Sequence, residues 1–433
     1  MRDLFLACIV FGALPFILKR PFIGILMLAW LGFMNPHRLT WGFMFDMPVV
    51  QIVVAFTLVG MLISNEVKRM IWSREIVVLA VFVAWMGITT WFAFFPALAW
   101  EQYVKVLKIQ ILTVMALLML TTQQRVHLFI WVIALSIGFY GVKGGIFTIV
   151  NGGVYMVMGP AQSFIASRND LAMAMAMTIP LMYYLYLNEN HRLVKLGLVG
   201  AIFLTAIATI GTQSRGALVA LVCMGAMFWW KSRYKFVTAL LIAVSAGTIL
   251  AIMPQEWRDR MATMQTHEED ASAMGRINQW HNAINIANAR LTGGGFETWQ
   301  RPVCQRFAPN PDDCRDVHSN YFEVLGEHGY IGLLLYLMLV GMTWFKCNAI
   351  IRRARGDPAL RWAGDLAAMI QVSMVAYLSA GLFLGMAYFD YLYRLIVVVV
   401  VVAWLVERAS RHVPQAAASG QAASRAPGLQ PGA

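Results

Sequence analysis

Three short segments of this 433-residue chain hold the residues best suited to chemistry. The first is Thr212-Gln213-Ser214-Arg215-Gly216, with apolar runs on both sides. A cation that close to hydrocarbon is costly unless it meets a partner or water. A guanidinium holds its N–H donors in a fixed fork that matches phosphate oxygens, so Arg215 reads as an anion clamp. An interfacial arginine that reaches up to the water layer is the plainer alternative. The second segment is Gly275-Arg276-Ile277-Asn278-Gln279-Trp280. Arg276 alone is a solvated surface cation; beside Arg215 it completes a pair suited to a diphosphate. The third is Asp316-Val317-His318-Ser319-Asn320-Tyr321-Phe322-Glu323, running on to Gly329-Tyr330-Ile331-Gly332. With an unperturbed pKa of about 6.5, His318 can accept a proton at neutral pH. The competing reading is a histidine hydrogen-bonded at a helix start. Ser319 or Asn320 is placed to cap that helix. Glu323 and Glu327 share a helix face, and His328 is expected to turn another way.

Other candidates carry less. Arg168-Asn169-Asp170 opens an apolar run and, with Gln213, offers supporting contacts to an anion. Asp390 and Arg394 are one helical turn apart and read as a structural ion pair. Gly293-Gly294-Gly295 is not a phosphate loop, because no strand precedes it and no Walker lysine follows. His267-Glu268-Glu269-Asp270 reads as a solvated acidic run rather than a divalent-cation site. Of the five cysteines, Cys8, Cys223 and Cys347 lie in or beside apolar runs. Cys304 and Cys314 lie together in a polar segment, where an oxidising compartment would join them. A zinc site there would need more ligands than the neighbourhood supplies, so no metal is expected.

The elements that must position these residues are membrane spans. Hydrophobic residues make up 59% of the chain and charged residues 13%. A soluble domain holds roughly 25% charged residues, so many spans are expected rather than one large soluble core. Candidate spans fall at 47–64, 75–95, 104–120, 126–150, 169–187, 193–211, 216–230, 235–253, 320–345, 362–387 and 391–406. Two shorter runs, 4–18 and 21–34, precede them and form two crossings, a broken helix or a re-entrant hairpin. The first run has no small-residue cleavage site and reads as retained. The expected fold is all-α and polytopic, with about 12 crossings of roughly 20 residues each. The domain division is 1–253 transmembrane, 254–319 a soluble loop with short helices, 320–408 transmembrane, and 409–433 a disordered tail. Within the loop, helices are expected over 256–264 and near 275–291.

The net charge of +12 sits in short clusters between apolar runs. That pattern follows the positive-inside rule and excludes nucleic acid as a partner. Lys68, Arg69, Arg74, Arg125, Arg192, Lys195, Lys231, Lys346, Arg352 and Arg353 mark the cytoplasmic loops. Residues 35–46, 151–168, 212–215 and 254–319 then face outward, and the three chemical segments with them.

The combination resembles the O-antigen ligase and polymerase superfamily. It is carried by Gln213-Ser214-Arg215-Gly216, by Gly275-Arg276, and by His318-Ser319-Asn320 leading into Gly326-Glu327-His328-Gly329-Tyr330-Ile331-Gly332. Ser319 departs from the commoner His-Asn form of that motif. Phe33-Met34-Asn35-Pro36-His37-Arg38-Leu39-Thr40-Trp41-Gly42 is similar to the N-terminal region of exosortase-associated O-glycosylation ligases. The resemblance implies a GT-C-like glycosyltransferase of the bacterial inner membrane, with its site on the periplasmic side. The donor would be a glycan on undecaprenyl diphosphate and the acceptor the lipid A–core oligosaccharide. Transfer would be inverting and need no metal or other cofactor. His318 would be the catalytic base, with Arg215 and Arg276 on the diphosphate. Arg168, Asn169, Gln213 and Asn320 would support them. A protein acceptor or a growing glycan chain are alternatives within this class. A lipid-linked glycan transporter is the alternative from another class, and it would be expected to bury charges mid-span.

Overall fold

A backbone in hydrocarbon must satisfy its own N–H and C=O groups, and one chain segment can do that alone only as a helix. The computed structural model describes residues 1–232, 234–236, 239, 240, 243, 247, 255 and 271–423, and among them it contains helices and no strand. The expected span 235–253, the expected helix over 256–264 and the acidic run His267–Asp270 lie outside the described residues, as do 424–433. Seven of the described helices are long and apolar enough to cross a membrane.

The helices are α1 Arg2–Lys19, α2 Pro21–Met34, α3 Val49–Ile63, α4 Arg74–Trp91, α5 Pro96–Met119, α6 Gln123–Val150, α7 Arg168–Asn188, α8 Arg192–Gly211 and α9 Arg215–Lys231. They continue with α10 Ala271–Ala289, α11 Arg301–Phe307, α12 Asn320–Ala354, α13 Arg361–Ala380 and α14 Asp390–Ala423. Serine and threonine side chains cap several N-termini. Ser73, Thr122, Ser167 and Ser214 accept the N–H of Ile76, Arg125, Asp170 and Ala217 respectively. Each satisfies one of the donors that a helix start leaves unpaired.

Contacts between loops sort them into two ends. At one, here the upper end, Arg38 donates to Gln162 at 2.7 Å, and the Gln213 carboxamide donates to the carbonyls of Gly153 and Val154. Phe94 N–H bonds the Gly294 carbonyl at 2.8 Å there. At the lower end Glu66 pairs with Arg125, Lys346 with Glu75, and Arg353 with Glu407. Asp3 accepts the Gly42 N–H at the upper end, while Glu66 accepts the Phe22 N–H at the lower. α1 and α2 are therefore two antiparallel helices, and the first residues lie at the upper end. Successive helices alternate in direction from there to α9, which ends at the lower end. α10 begins again at the upper.

α7 and α14 form the centre. Leu171–Ala176 of α7 and Val397–Val402 of α14 are all buried. The valine run of α14 is enclosed by the neighbouring helices. Tyr391 and Thr178 hydroxyls meet at 2.9 Å between the two helices. α6 packs closely on α8 through small residues: a Cβ on Gly145 would lie 2.3 Å from the Leu204 carbonyl oxygen. Close backbone approach of this kind is how helices associate in lipid.

Several boundaries differ from the sequence reading. α4 stops at Trp91 because Phe92–Phe94 turns to meet Gly294, and α5 starts earlier, at Pro96, whose missing N–H costs nothing at a helix start. α13 ends at Ala380 rather than 387. Gly381 N–H closes its last turn, and 381–389 forms a separate loop. α14 runs to Ala423, so the stretch 409–423 assigned to a disordered tail is helical; alanine, frequent there, is the best helix former. α12 is two helices joined at Gly329, whose φ of 66° and ψ of −171° only glycine adopts freely. Asp390 and Arg394 attract each other electrostatically, with no salt bridge within 4.0 Å between them among the described residues, and Arg394 also donates to the Leu112 carbonyl.

Candidate functional site

α7 and α9 both begin at the upper end, and both begin with an arginine. Ser167 caps α7 and leaves Arg168 as its first residue; Ser214 caps α9 and leaves Arg215 as its first. Each helix start carries a partial positive charge from its unpaired N–H groups, which favours anions. The two starts line one cavity of about 290 Å³. Arg168, Asn169, Gln213, Ser214 and Arg215 line it, with Arg276 from α10 and Ala380, Phe383 and Leu384 from the end of α13 and the loop after it. Three arginines and two helix starts in a small cleft make a site for a strongly anionic group. Phe383 and Leu384 give it an apolar wall.

Gln213 carries a second sign of a constrained site. Its φ is 56°, a left-handed value that non-glycine residues hold only when surroundings impose it. Its carboxamide donates to Gly153 and Val154 carbonyls, which ties the 151–167 segment to the turn before α9. Gln213 thus supports the cavity as a tether of its wall.

His318 is half-buried in the segment between the soluble helices and α12. It does not line the cavity, yet it feels the charge of Arg276, which does. Burial holds its pKa below the usual histidine value; Asp316 opposes this, and Arg276 and Arg315 reinforce it. The imidazole is therefore neutral at neutral pH, the form that accepts a proton. Its backbone is also left-handed, with φ of 44°.

Asn320 and Ser319 do not cap α12. No side chain caps that start. Ser319 Oγ donates to the Gly381 carbonyl at 3.3 Å, and Asn320 Oδ1 accepts the Met386 N–H at 2.6 Å. Both side chains serve the 381–387 loop, whose buried backbone groups need partners more than the helix start does. Glu323 accepts the Ala387 N–H at 3.0 Å, and Glu327 the Tyr388 hydroxyl at 2.7 Å and the Glu297 N–H at 3.1 Å. The acidic face of α12 therefore holds two loops. His328 turns away, fully buried, with Nδ1 2.6 Å from the Thr89 hydroxyl. The glycine triplet is a docking segment: Gly294 and Gly295 N–H groups bond the carbonyls of Gly326 and Glu327 at 2.8 Å, beside the break at Gly329. Cys304 and Cys314 form a disulfide with Cα atoms 5.8 Å apart. Phe383 and Leu384 escaped the sequence reading, which ran a span through them; Gly381 and Gly385 were the available sign of a loop.

Residues 200–337 match the family described as O-antigen ligase. This match supports the O-antigen ligase superfamily for that segment. It contains Gln213, Arg215, Arg276, His318 and Asn320. Residues 1–190, which include Arg168 and Asn169, match a family of unknown function, DUF5935. The cavity thus draws on both matched segments, with Ala380, Phe383 and Leu384 added from outside them. No curated protein matches the chain significantly.

Proposed function

We propose that this chain is a periplasm-facing glycan ligase of the inner membrane. It transfers a glycan from undecaprenyl diphosphate to the lipid A–core oligosaccharide. The observation that carries the reading is the cavity in which Arg168, Arg215 and Arg276 converge on two helix starts. The upper end, poor in short basic loops, is the periplasmic end in this reading, and the lower end with Arg69, Arg125, Arg192 and Arg353 is cytoplasmic.

In the reaction the acceptor hydroxyl attacks the anomeric carbon of the donor sugar while His318 takes its proton. The bond from that carbon to the diphosphate oxygen breaks, and the lipid diphosphate leaves with the electron pair. Arg215 and Arg276, with Arg168 and the α7 and α9 starts, stabilise the charge that develops on it. A single displacement inverts the anomeric centre. The neutral state of His318 supports its role as base.

The test is transfer by purified protein from an undecaprenyl-diphosphate glycan to lipid A–core, with EDTA and without nucleotide. Wild type is expected to transfer and His318→Ala to lose about two to four orders of magnitude. Full transfer by His318→Ala would remove the base assignment. No transfer to lipid A–core, with transfer to a protein hydroxyl or to a second glycan, would redirect the acceptor.

A further inference from the structure

One residue touches the chain on both sides of His318. The Trp280 indole N–H donates to the Val317 carbonyl at 3.1 Å, immediately before the histidine. The Trp280 ring stacks on Phe322, one turn after it, with centroids 5.0 Å apart and planes inclined by 13°. Trp280 stands one turn after Arg276 on α10, so the two share a helix face.

Its neighbours on α10 hold the preceding chain. Asn278 Nδ2 donates to the carbonyls of Asn310 and Asp313 at 2.9 and 3.0 Å, and Asn278 Oδ1 accepts the Asn310 N–H at 2.8 Å. Gln279 Nε2 donates to the Asp313 carbonyl at 2.8 Å. Residues 313–319 have no helix of their own, so these side chains set their path. At the end of that path His318 holds φ of 44°. A non-glycine residue stays left-handed only where its surroundings over-determine it.

We propose that Trp280 is the positioning residue for His318: it ties both sides of the histidine's left-handed turn to α10, so that Arg276 and His318 keep a fixed separation. This rests on the reading of His318 as the base. The stack on Phe322 fixes where α12 starts against α10. The N–H···O bond fixes the direction of the Val317 carbonyl, and so the peptide plane from which His318 projects. A base and an anion clamp act on the same reacting centre, so an error in their separation costs rate rather than affinity.

The test uses the full chain in lipid nanodiscs with W280F, which keeps a ring to stack and loses the donor, and W280A, which loses both. The first readout is modification of His318 by diethyl pyrocarbonate, followed by peptide mass spectrometry, and it needs no substrate. Modification is expected to be several-fold faster in W280F and faster again in W280A, with exposed His191 unchanged. Equal His318 rates in all three proteins would overturn the proposal. The second readout is the kinetics of glycan transfer. W280F is expected to lower kcat about tenfold and leave the donor KM within about twofold. A raised KM at unchanged kcat would place Trp280 on the donor instead, and would also overturn it. Faster His318 modification with no transfer by wild type would keep the positioning role and remove the ligase reading. The mass of the Cys304–Cys314 peptide pair reports whether each variant folded, and if W280A loses the pair, W280F decides.

Discussion

At the scale of the residue, His318 gathers the competing influences most clearly. Burial and the cations Arg276 and Arg315 lower its pKa, while Asp316 raises it. The active form is the neutral one, so transfer should fall as pH drops through the depressed pKa, below about 6.5. Asp316→Asn should move that acid limb further down, and Arg276→Gln should move it up while weakening donor binding. A pH profile of kcat/KM checks both signs. The same shift is linked to stability. The folded histidine is neutral while the unfolded one takes a proton below about 6.5, so its contribution is present above that pH and lost as pH falls toward the folded pKa. Arg215 separates shape from charge. Arg215→Lys keeps the cation and loses the fork, so transfer should fall by about tenfold or more, with Arg215→Ala lower still. Equal rates for Arg215→Lys and wild type would show that charge alone suffices.

At the scale of the element, the serine caps explain how two arginines reach one cavity. Each cap starts its helix one residue before the arginine, which directs the guanidinium to the helix end. The break at Gly329 is the other decisive element. A Cβ there would lie 2.3 Å from the Leu291 carbonyl oxygen, and the backbone occupies a region almost closed to other residues. Gly329→Ala should lose about 1–3 kcal/mol from the backbone alone, read as a lower melting temperature in detergent. The disulfide belongs to this scale too. Replacing Cys304 and Cys314 by serine should cost about 2–4 kcal/mol, most of it by freeing the unfolded chain. The loss should be matched by adding reductant to wild type. The sequence pattern showed most of these elements because lipid demands long apolar helices. It misplaced their ends at Trp91, Pro96 and Ala380, where loops are terminated by contacts with distant segments such as Gly294.

At the scale of the whole molecule, the alternation of helices places residues 35–46, 151–167 and 212–214 at one end and Glu66, Arg125 and Glu407 at the other. The positive-inside rule then turns two ends into two sides. Single cysteines introduced at Trp41 and Asn190, both exposed, test this in a Cys8→Ser background. In intact cells an impermeant maleimide should label the Trp41 position and spare the Asn190 position. Labelling of both, or the reverse pattern, would overturn the assignment of sides.

The sequence by itself pointed to helices that cross a membrane, because 59% hydrophobic residues with 13% charged leave too little polar surface for a soluble core, and apolar runs of about 20 residues suit spanning helices. It also singled out Arg215, because a cation beside an apolar run is expensive and therefore conspicuous, with Arg276 as a second cation for a diphosphate, His318 where the soluble loop enters a span, and Arg168 as a lesser candidate. Tertiary structure decided what those residues share. Arg168 and Arg215 start neighbouring helices, Arg276 arrives from a soluble helix, and the loop carrying Phe383 and Leu384 closes the wall. Only packing could assign Asn320 to a loop rather than a cap, dock the glycine triplet on Gly326, and set Trp280 on both sides of His318. Each of these depends on which buried backbone group lacks a partner once the helices have met, and that is a property of the assembled chain rather than of any local stretch.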